Sequence, residues 1–381
     1  MATWLSNLFR PRINAIGLEI GGANIKAVDL GANHQLLNYA QRPTPPGLLQ
    51  DGLVGDPEAL GEELRALHKE LRTRKKQVVT ALANDVTVVR VIRVPKMSEK
   101  ELEEAIPWEA ERYIPFPIDE VVLDYALLDD PEEIEDQGEM EVLIAAAREE
   151  TVMQLVEVLN SAGLEPVVID LKPFAGLRPL EGQLKPEEEE GANPITLYLE
   201  VGHTATSLVL LKGERPLLSR SIGIAGKEFT QAIARSFNLP MEEAEEVKRE
   251  YALATLSTED EEALLDFGEV EQGRPTPSDI YAAIRPVLID LSTEVRRSLE
   301  FFSAQGETQT PDQAFITGGG SKLKGLKGVL SDVLGIHFND VNPWAALKVD
   351  TGRFEPGLLE DAAAEFTVPV GLALRGVSRV G

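Results

Sequence analysis

The stretch Leu18–Val28, reading Leu-Glu-Ile-Gly-Gly-Ala-Asn-Ile-Lys-Ala-Val, narrows the folds open to this chain more than any other. An apolar strand reaches an acidic residue, Glu19, turns at Gly21 and Gly22, and leaves as a second strand that carries Lys26. Adjacent glycines at such a turn predict positive φ and a tight hairpin. Bare backbone at its tip suits a phosphate, provided the hairpin has a partner. The partner is Leu199–Val209, Leu-Glu-Val-Gly-His-Thr-Ala-Thr-Ser-Leu-Val, which repeats the Leu-Glu-apolar-Gly opening about half a chain later. Two such hairpins at that spacing are far more informative than one.

Composition removes several function classes. The 381 residues, 43% of them apolar and 27% charged, can form two lobes with a core each. Cysteine is absent, which rules out a disulfide framework, a thiolate metal site and a thiol nucleophile, and fits a reducing cytoplasm. A net charge of −27 argues against nucleic acid as principal ligand and suits a basic peptide or tail better. No run approaches the roughly 20 apolar residues of a membrane helix, and no signal-peptide core opens the chain, so it is expected to be neither exported nor membrane-spanning. Trp4, Leu5, Leu8 and Phe9, followed by Arg10 and Arg12, have the pattern of a short amphipathic turn, which could touch a membrane or a partner but is more simply expected to pack on the protein's own body.

Periodicity divides the rest. Asp56 caps a helix from about Pro57 to Thr73 with Leu60, Leu64, Leu67 and Leu71 on one face, and Val78–Leu82 returns as a buried strand. From about Val86 a strand, a helix with the capping box Ser98–Glu101, and two strands (Glu120–Leu128 and Glu141–Ala147) read as an inserted subdomain. Pro107 is expected to kink or divide the helix. A helix carrying Val152, Leu155, Val156 and Leu159 ends at Gly163, and Pro166–Leu171 is a strand. Lys185–Gly191 is a solvated connector. In the second half, Phe229, Ile233 and Phe237 mark a helix stopped by Asn238 and Pro240, and the next helix carries Ala244, Val247 and Tyr251. Thr258–Gln272 is an acidic, exposed stretch, and Ile284–Phe302 a long helix kinked near Pro286. Ala314–Leu323 reads as a strand, three glycines (Gly318, Gly319, Gly320) and a helix start open to an anion. Phe366–Val377 is an apolar helix expected to pack back on the first lobe.

The two hairpins, the helical segment before the third glycine turn and the inserted module together resemble the actin-like ATPase superfamily. Gly226–Ala234 followed by Ala244–Lys248 is similar to the second-lobe signature of its FtsA-like branch. The eighteen-residue run Trp108–Tyr125 is similar, within that branch, to the PilM family of type IV pilus assembly proteins. The resemblance implies a duplicated, two-lobed α/β fold of the actin-like ATPase kind, with nucleotide in the cleft between lobes and a small inserted α/β subdomain in the first lobe. Its boundaries would be 1–190 for the first lobe, with the interaction subdomain at about 86–165; 191–345 for the second, with a helical subdomain at about 225–305; and 346–381 for a segment returning to the first.

The same resemblance implies residue roles for ATP and Mg²⁺. Gly21, Gly22 and Asn24, with Gly202, Thr204 and Thr206, would donate to phosphate oxygens, and Lys26 would contact a phosphate. Glu245 and Lys248 would reach ribose and base, although their spacing on one helix is equally that of a surface ion pair. Gly318, Gly319 and Gly320 would wall the adenosine. The superfamily usually ends each first hairpin strand in Asp, near the Mg²⁺ water shell. Glu19 and Glu200 stand there instead. A misplacement of roughly an ångström can cost about a hundredfold in rate, so binding with slow or negligible hydrolysis is expected, the metal being held through water and not directly.

The family further implies a cytoplasmic scaffold at the inner-membrane face. It would bind the amino-terminal cytoplasmic tail of PilN, meet other pilus assembly proteins, and link the membrane alignment complex to the pilus motor. The groove is expected around residues 86–128 and 163–175, with Pro115, Phe116 and Pro117 either its rigid edge or a structural turn. An FtsA-like polymerising protein would need a membrane-targeting helix, for which the tail after Leu374 is too short. A sugar-kinase-like enzyme would need a catalytic Asp in the first lobe, and no motif places one.

Overall fold

The computed structural model of the chain describes residues 14–50, 52–129, 138–184, 194–254, 275–304 and 310–377. The amphipathic turn at 4–12, the connector at 185–191 and the acidic stretch at 258–272 lie outside them. The chain separates into two compact units, Met1–Leu184 with Glu214–Ser219 and Asn342–Gly381, and Lys185–Gly213 with Arg220–Val341. Among the described residues no helix is long and apolar enough to cross a membrane.

The first unit is built on strands β1 (Ile16–Ile20), β2 (Asn24–Leu30) and β3 (Leu36–Pro43), the short pair β4 (Leu49–Gln50) and β5 (Leu53–Val54), and β6 (Gln77–Leu82). Helix α1 (Pro57–Leu71) precedes β6, and Asp56 caps it by accepting from the Ala59 amide at 3.0 Å. The inserted module comprises β7 (Thr87–Pro95), α2 (Glu99–Ala110), β8 (Val121–Leu127) and β9 (Glu139–Arg148), with the strands antiparallel in the order β7-β9-β8. Ser98 and Glu101 form the expected capping box. Helix α2 runs through Pro107 as one element, since only its final turn follows the missing N–H. After α3 (Glu149–Ser161), strand β10 (Glu165–Leu171) completes the five-stranded sheet β10-β6-β1-β2-β3.

Both faces of that sheet are covered, which explains why β1 is buried almost throughout. Ile16, Leu18 and Val78 meet Leu60, Leu64, Leu67 and Leu71 of α1 and Leu155, Val158 and Leu159 of α3. Alternate residues Ala15 and Val79 turn to the other face, against Ala175 of α4 (Lys172–Leu177) and Val368 and Leu372 of the closing helix (Pro356–Val377). The module has a separate core of Ile92, Val94, Leu102, Ile106, Met140, Val142 and Ile144.

A second five-stranded sheet comprises β11 (Ile195–Val201), β12 (Thr206–Lys212), β13 (Arg215–Ile222), β14 (Gln313–Thr317) and β15 (Phe338–Asp340), in the order β13-β12-β11-β14-β15; all of it lies in the second unit except residues 215–219 of β13. Strand β11 is antiparallel to β12 and parallel to β14, and β14 is parallel to β15. The first sheet follows the same plan: β1 is antiparallel to β2 and parallel to β6, and β6 is parallel to β10. The duplication announced by the hairpins is therefore a duplication of whole sheets. Helices α5 (Gly226–Phe237), α6 (Met241–Tyr251) and the continuous α7 (Pro277–Ala304), with Pro286 inside it, lie between β13 and β14. Helix α8 (Leu326–Leu334) links β14 to β15, and the closing helix of the first unit is α9.

Candidate functional site

In the first unit β1 and β2 pair with Glu19 opposite Lys26, and the Gly21 amide donates to the Asn24 carbonyl at 3.1 Å to close the turn. Among the described residues the glycines with positive φ are Gly47, Gly52, Gly163, Gly213, Gly318, Gly325 and Gly335. Gly21 and Gly22 are not among them, so the expectation of positive φ in the first hairpin turn is corrected. Gly21 is required for space, because a Cβ there would lie 2.8 Å from the Asn24 carbonyl oxygen. Thr44, just after β3, pins the tip: its amide donates to Ala23 O at 2.9 Å and its hydroxyl to Gly21 O at 2.6 Å.

Behind that tip Glu19 meets two ammonium groups. Lys26 Nζ lies 2.8 Å from Oε2, and Lys172 Nζ, at the start of α4, lies 3.1 Å from Oε1. Burial pushes the Glu19 carboxyl up, but the two lysines outweigh it and hold the group below its ordinary range. Lys172 was not legible as a site residue in the sequence. Nearby Asp170 forms ion pairs with Arg178 at 2.7 Å and Arg375 at 3.5 Å, tying the end of β10 to α9.

In the second unit Glu200 pairs across β11 and β12 with Ser207, whose hydroxyl donates to Oε2 at 3.3 Å. The position equivalent to Lys26 is thus a hydroxyl. The Gly202 amide donates to Ala205 O at 3.0 Å. The turn's carbonyls of Gly202 and His203 accept from the amides of Gly226 and Lys227 at 3.0 and 2.8 Å, satisfying two donors at the start of α5. Thr206 is fully buried and its hydroxyl donates to Ile224 O at 2.7 Å, so it fixes the strand to the loop before α5. Thr204 is half-buried in the turn.

The three glycines pack on this hairpin. A Cβ at Gly318, where φ is +88°, would lie 2.3 Å from Val201 O, and one at Gly320 would lie 3.0 Å from Gly202 O. Gly319 opens a short 3-10 turn, Gly319–Lys322, and the α-helix begins only at Leu326. The expected helix start directly after the glycines is therefore corrected. Gly318 and Gly320 are glycines because the hairpin backbone occupies the space a side chain would need.

Glu245 and Lys248 are not a surface ion pair. Lys248 Nζ donates to Glu245 Oε2 at 2.6 Å, Thr230 Oγ1 at 2.8 Å and Gly226 O at 2.9 Å. Arg249 holds the other Glu245 oxygen at 3.0 Å. Burial raises the Glu245 carboxyl, yet Lys248 and the hydrogen bonds outweigh it and hold it low. Burial also lowers Lys248 below its ordinary value. Gly226 joins this network to the hairpin, since its own Cβ position is 3.2 Å from Gly202 O and 3.7 Å from Lys248 Nζ. Gly226 and Thr230 belong to the segment that carried the family signature, but spacing did not reveal their contacts.

Burial, then the charge of Lys248, push His203 below its ordinary pKa of about 6.5. A depressed histidine contributes stability that is present above about pH 6.5 and is lost as pH falls towards the folded value, because the unfolded chain takes the proton first. An NMR titration is expected to place the His203 midpoint below 6.5, and His203→Asn to remove that part of the acid sensitivity.

Two sheets of one strand order, each with a carboxylate and a glycine turn at the end of its first strand, define the actin-like ATPase fold. Solved structures of that fold align over most of the chain. The ethanolamine utilization protein EutJ of Carboxydothermus hydrogenoformans aligns with a TM-score of 0.54 at 16% identity, covering 96% of this chain and 89% of that one. MreB5 of Spiroplasma citri bound to AMPPNP aligns with a TM-score of 0.50 at 14% identity, covering 91% and 97%. Far more similar is the solved PilM-PilN type IV pilus biogenesis complex, with a TM-score of 0.84 and 49% identity over 97% of this chain and 100% of that one.

The family described as "Type IV pilus assembly protein PilM" matches residues 17–267, and the chain belongs to that family. "Cell division protein FtsA" matches residues 197–361. FtsA of Bacillus subtilis is 21% identical over 84% of this chain and 76% of its own length. FtsA of Staphylococcus epidermidis is 24% identical over 58% of this chain, and the match spans about half of that relative, 46%.

Proposed function

We propose that this type IV pilus assembly protein is an ATP-binding adaptor that captures the cytoplasmic tail of PilN and so links the inner-membrane alignment complex to the pilus motor. The observation that carries the reading is the 49% identity, over nearly the whole chain, to the protein of the PilM-PilN complex. On this reading it works in the cytoplasm, held at the inner-membrane face through its partners. Gly21, Gly22, Asn24 and Lys26 of the first unit and Gly202, Thr204 and Thr206 of the second contribute to phosphate binding. Glu245, Lys248 and Gly318–Gly320 contribute to the nucleoside side. The two halves differ in their suitability for Mg²⁺, which would neutralise phosphate charge when bound. Glu200 faces a hydroxyl and suits an outer-shell role, whereas both Glu19 oxygens already meet ammonium groups. Turnover is slow because Glu200 carries one methylene more than the Asp usual in this fold.

The tail site belongs to the inserted module and its surroundings, residues 86–128 and 163–175. Phe116 packs on the module core beneath the Arg148 guanidinium, 4.3 Å from its ring centre, which favours a structural role for the Pro115–Pro117 turn. Trp108, 73% exposed, is the large apolar side chain that the module offers a partner, with Tyr113 and Val122 also exposed.

Calorimetric titration with ATP and with a synthetic PilN tail tests the proposal. Both are expected to bind, with ATP recovered intact, and Trp108→Ala is expected to weaken the tail about tenfold. Turnover near one per second that is abolished by Glu200→Ala would overturn the slow-hydrolysis reading. Tail affinity unaltered by Trp108→Ala would move the groove away from this face.

A further inference from the structure

We propose that Glu19, Lys26 and Lys172 form a cationic seat for the polyphosphate of a nucleoside triphosphate, one that works without a divalent cation. This rests on the nucleotide-binding reading above and sets its metal requirement in the first unit. The carboxylate that the fold would lead one to assign to a magnesium shell is the least exposed member of the triad. Its side chain is 6% exposed, against 11% for Lys26 and 21% for Lys172. Each oxygen has its own ammonium partner, at 2.8 and 3.1 Å. One negative and two positive charges leave the triad with a net charge of +1. A hydrated Mg²⁺ seeks oxygen acceptors and would here meet two ammonium groups, whereas a phosphate oxygen would find two cations held together by one carboxylate. The carboxylate anchors the lysines as a second layer, and Lys172, the most exposed of the three side chains, is the member a ligand reaches first.

The sheet order makes this arrangement stable. Lys172 follows β10, which pairs with β6, which pairs with β1, so it reaches the end of β1 across one intervening strand. The second hairpin lacks this device, having Ser207 where the first has Lys26. Divalent-cation chemistry, where it occurs, is thereby assigned to the Glu200 half.

ATP binding to the full chain, measured by calorimetry in EDTA and in excess magnesium, tests this. Affinities in the two buffers are expected to agree within about threefold, since the lysines supply the countercharge. Lys172→Met should weaken binding in EDTA about tenfold or more, and Lys172→Arg should retain most of it. Because Lys172→Met also removes a partner of a buried carboxylate, Glu19→Gln provides an arm of opposite sign. It keeps the shape, raises the net charge and should maintain or tighten binding in EDTA. Binding that requires magnesium and is lost in Glu19→Gln would overturn the cationic seat while leaving the nucleotide reading intact. No ATP binding in either buffer would overturn both.

Discussion

Gly371→Ala is expected to destabilise the first unit by about 3 kcal/mol or more. A Cβ at that position would lie 1.7 Å from the carbonyl oxygen of Ala175 and 2.7 Å from its carbon, with Pro179 Cδ at 3.3 Å. The nearest obstacle is backbone, which no rotamer change can relieve, so α9 and α4 must separate. The same helix lies equally close to β1, where a Cβ on Gly17 would be 2.3 Å from both the Ala373 amide nitrogen and the Pro369 carbonyl oxygen. The Ala15 amide donates to Gly376 O at 3.0 Å beyond it. Chemical denaturation followed by circular dichroism reads the loss, with amide exchange of residues 15–20 reporting on the first unit. A change smaller than about 1 kcal/mol would mean that the helix shifts at little cost and that the close approach is not structural. Because α4 begins at Lys172, separating it from α9 should also weaken ATP binding in EDTA.

Lys26→Met is expected to cost about 3 kcal/mol, the low end of what breaking a buried ion pair costs, since Lys172 remains. The sign of its pH dependence follows from Glu19. Its folded pKa lies below the ordinary 4.5, so the wild type gains stability that is present above about pH 4.5 and is lost as pH falls through the folded value. Removing Lys26 leaves the opposing effect of burial less compensated. The gap between wild type and variant should therefore be widest near neutrality, shrink as the variant's less compensated carboxyl takes up its proton, and be smallest below the folded value of the wild type, where Glu19 is neutral in both. Adding Glu19→Gln to Lys26→Met should recover most of the loss, as a coupled pair requires. An equal gap at pH 3 and pH 7, or no recovery in the double variant, would assign the effect to lost packing of the lysine stem and not to charge.

Local physical chemistry made part of this protein readable from its chain. Asp56 and Ser98 cap where side-chain oxygens precede helical apolar spacing, and Asn238 ends α5 in the left-handed conformation its short polar side chain tolerates. Both hairpins showed as Leu-Glu-apolar-Gly because their strand, turn and register are encoded within eleven residues. The site was legible to the same extent: Glu19 opposite Lys26, and Glu245 one helical turn from Lys248. Contacts that the sheets bring together from distant segments were not. Lys172 reaches Glu19 only because two parallel pairings place β10 beside β6 and β6 beside β1. The glycines at 318 and 320 look like a helix start, whereas their absent side chains make room for Val201 and Gly202. The apolar stripe of α3 was plain in the chain, but its place on the core with α1 depends on which sheet offers a complementary surface. Periodicity specifies that a face must be buried, and the packing partner is decided where the whole chain competes for that face.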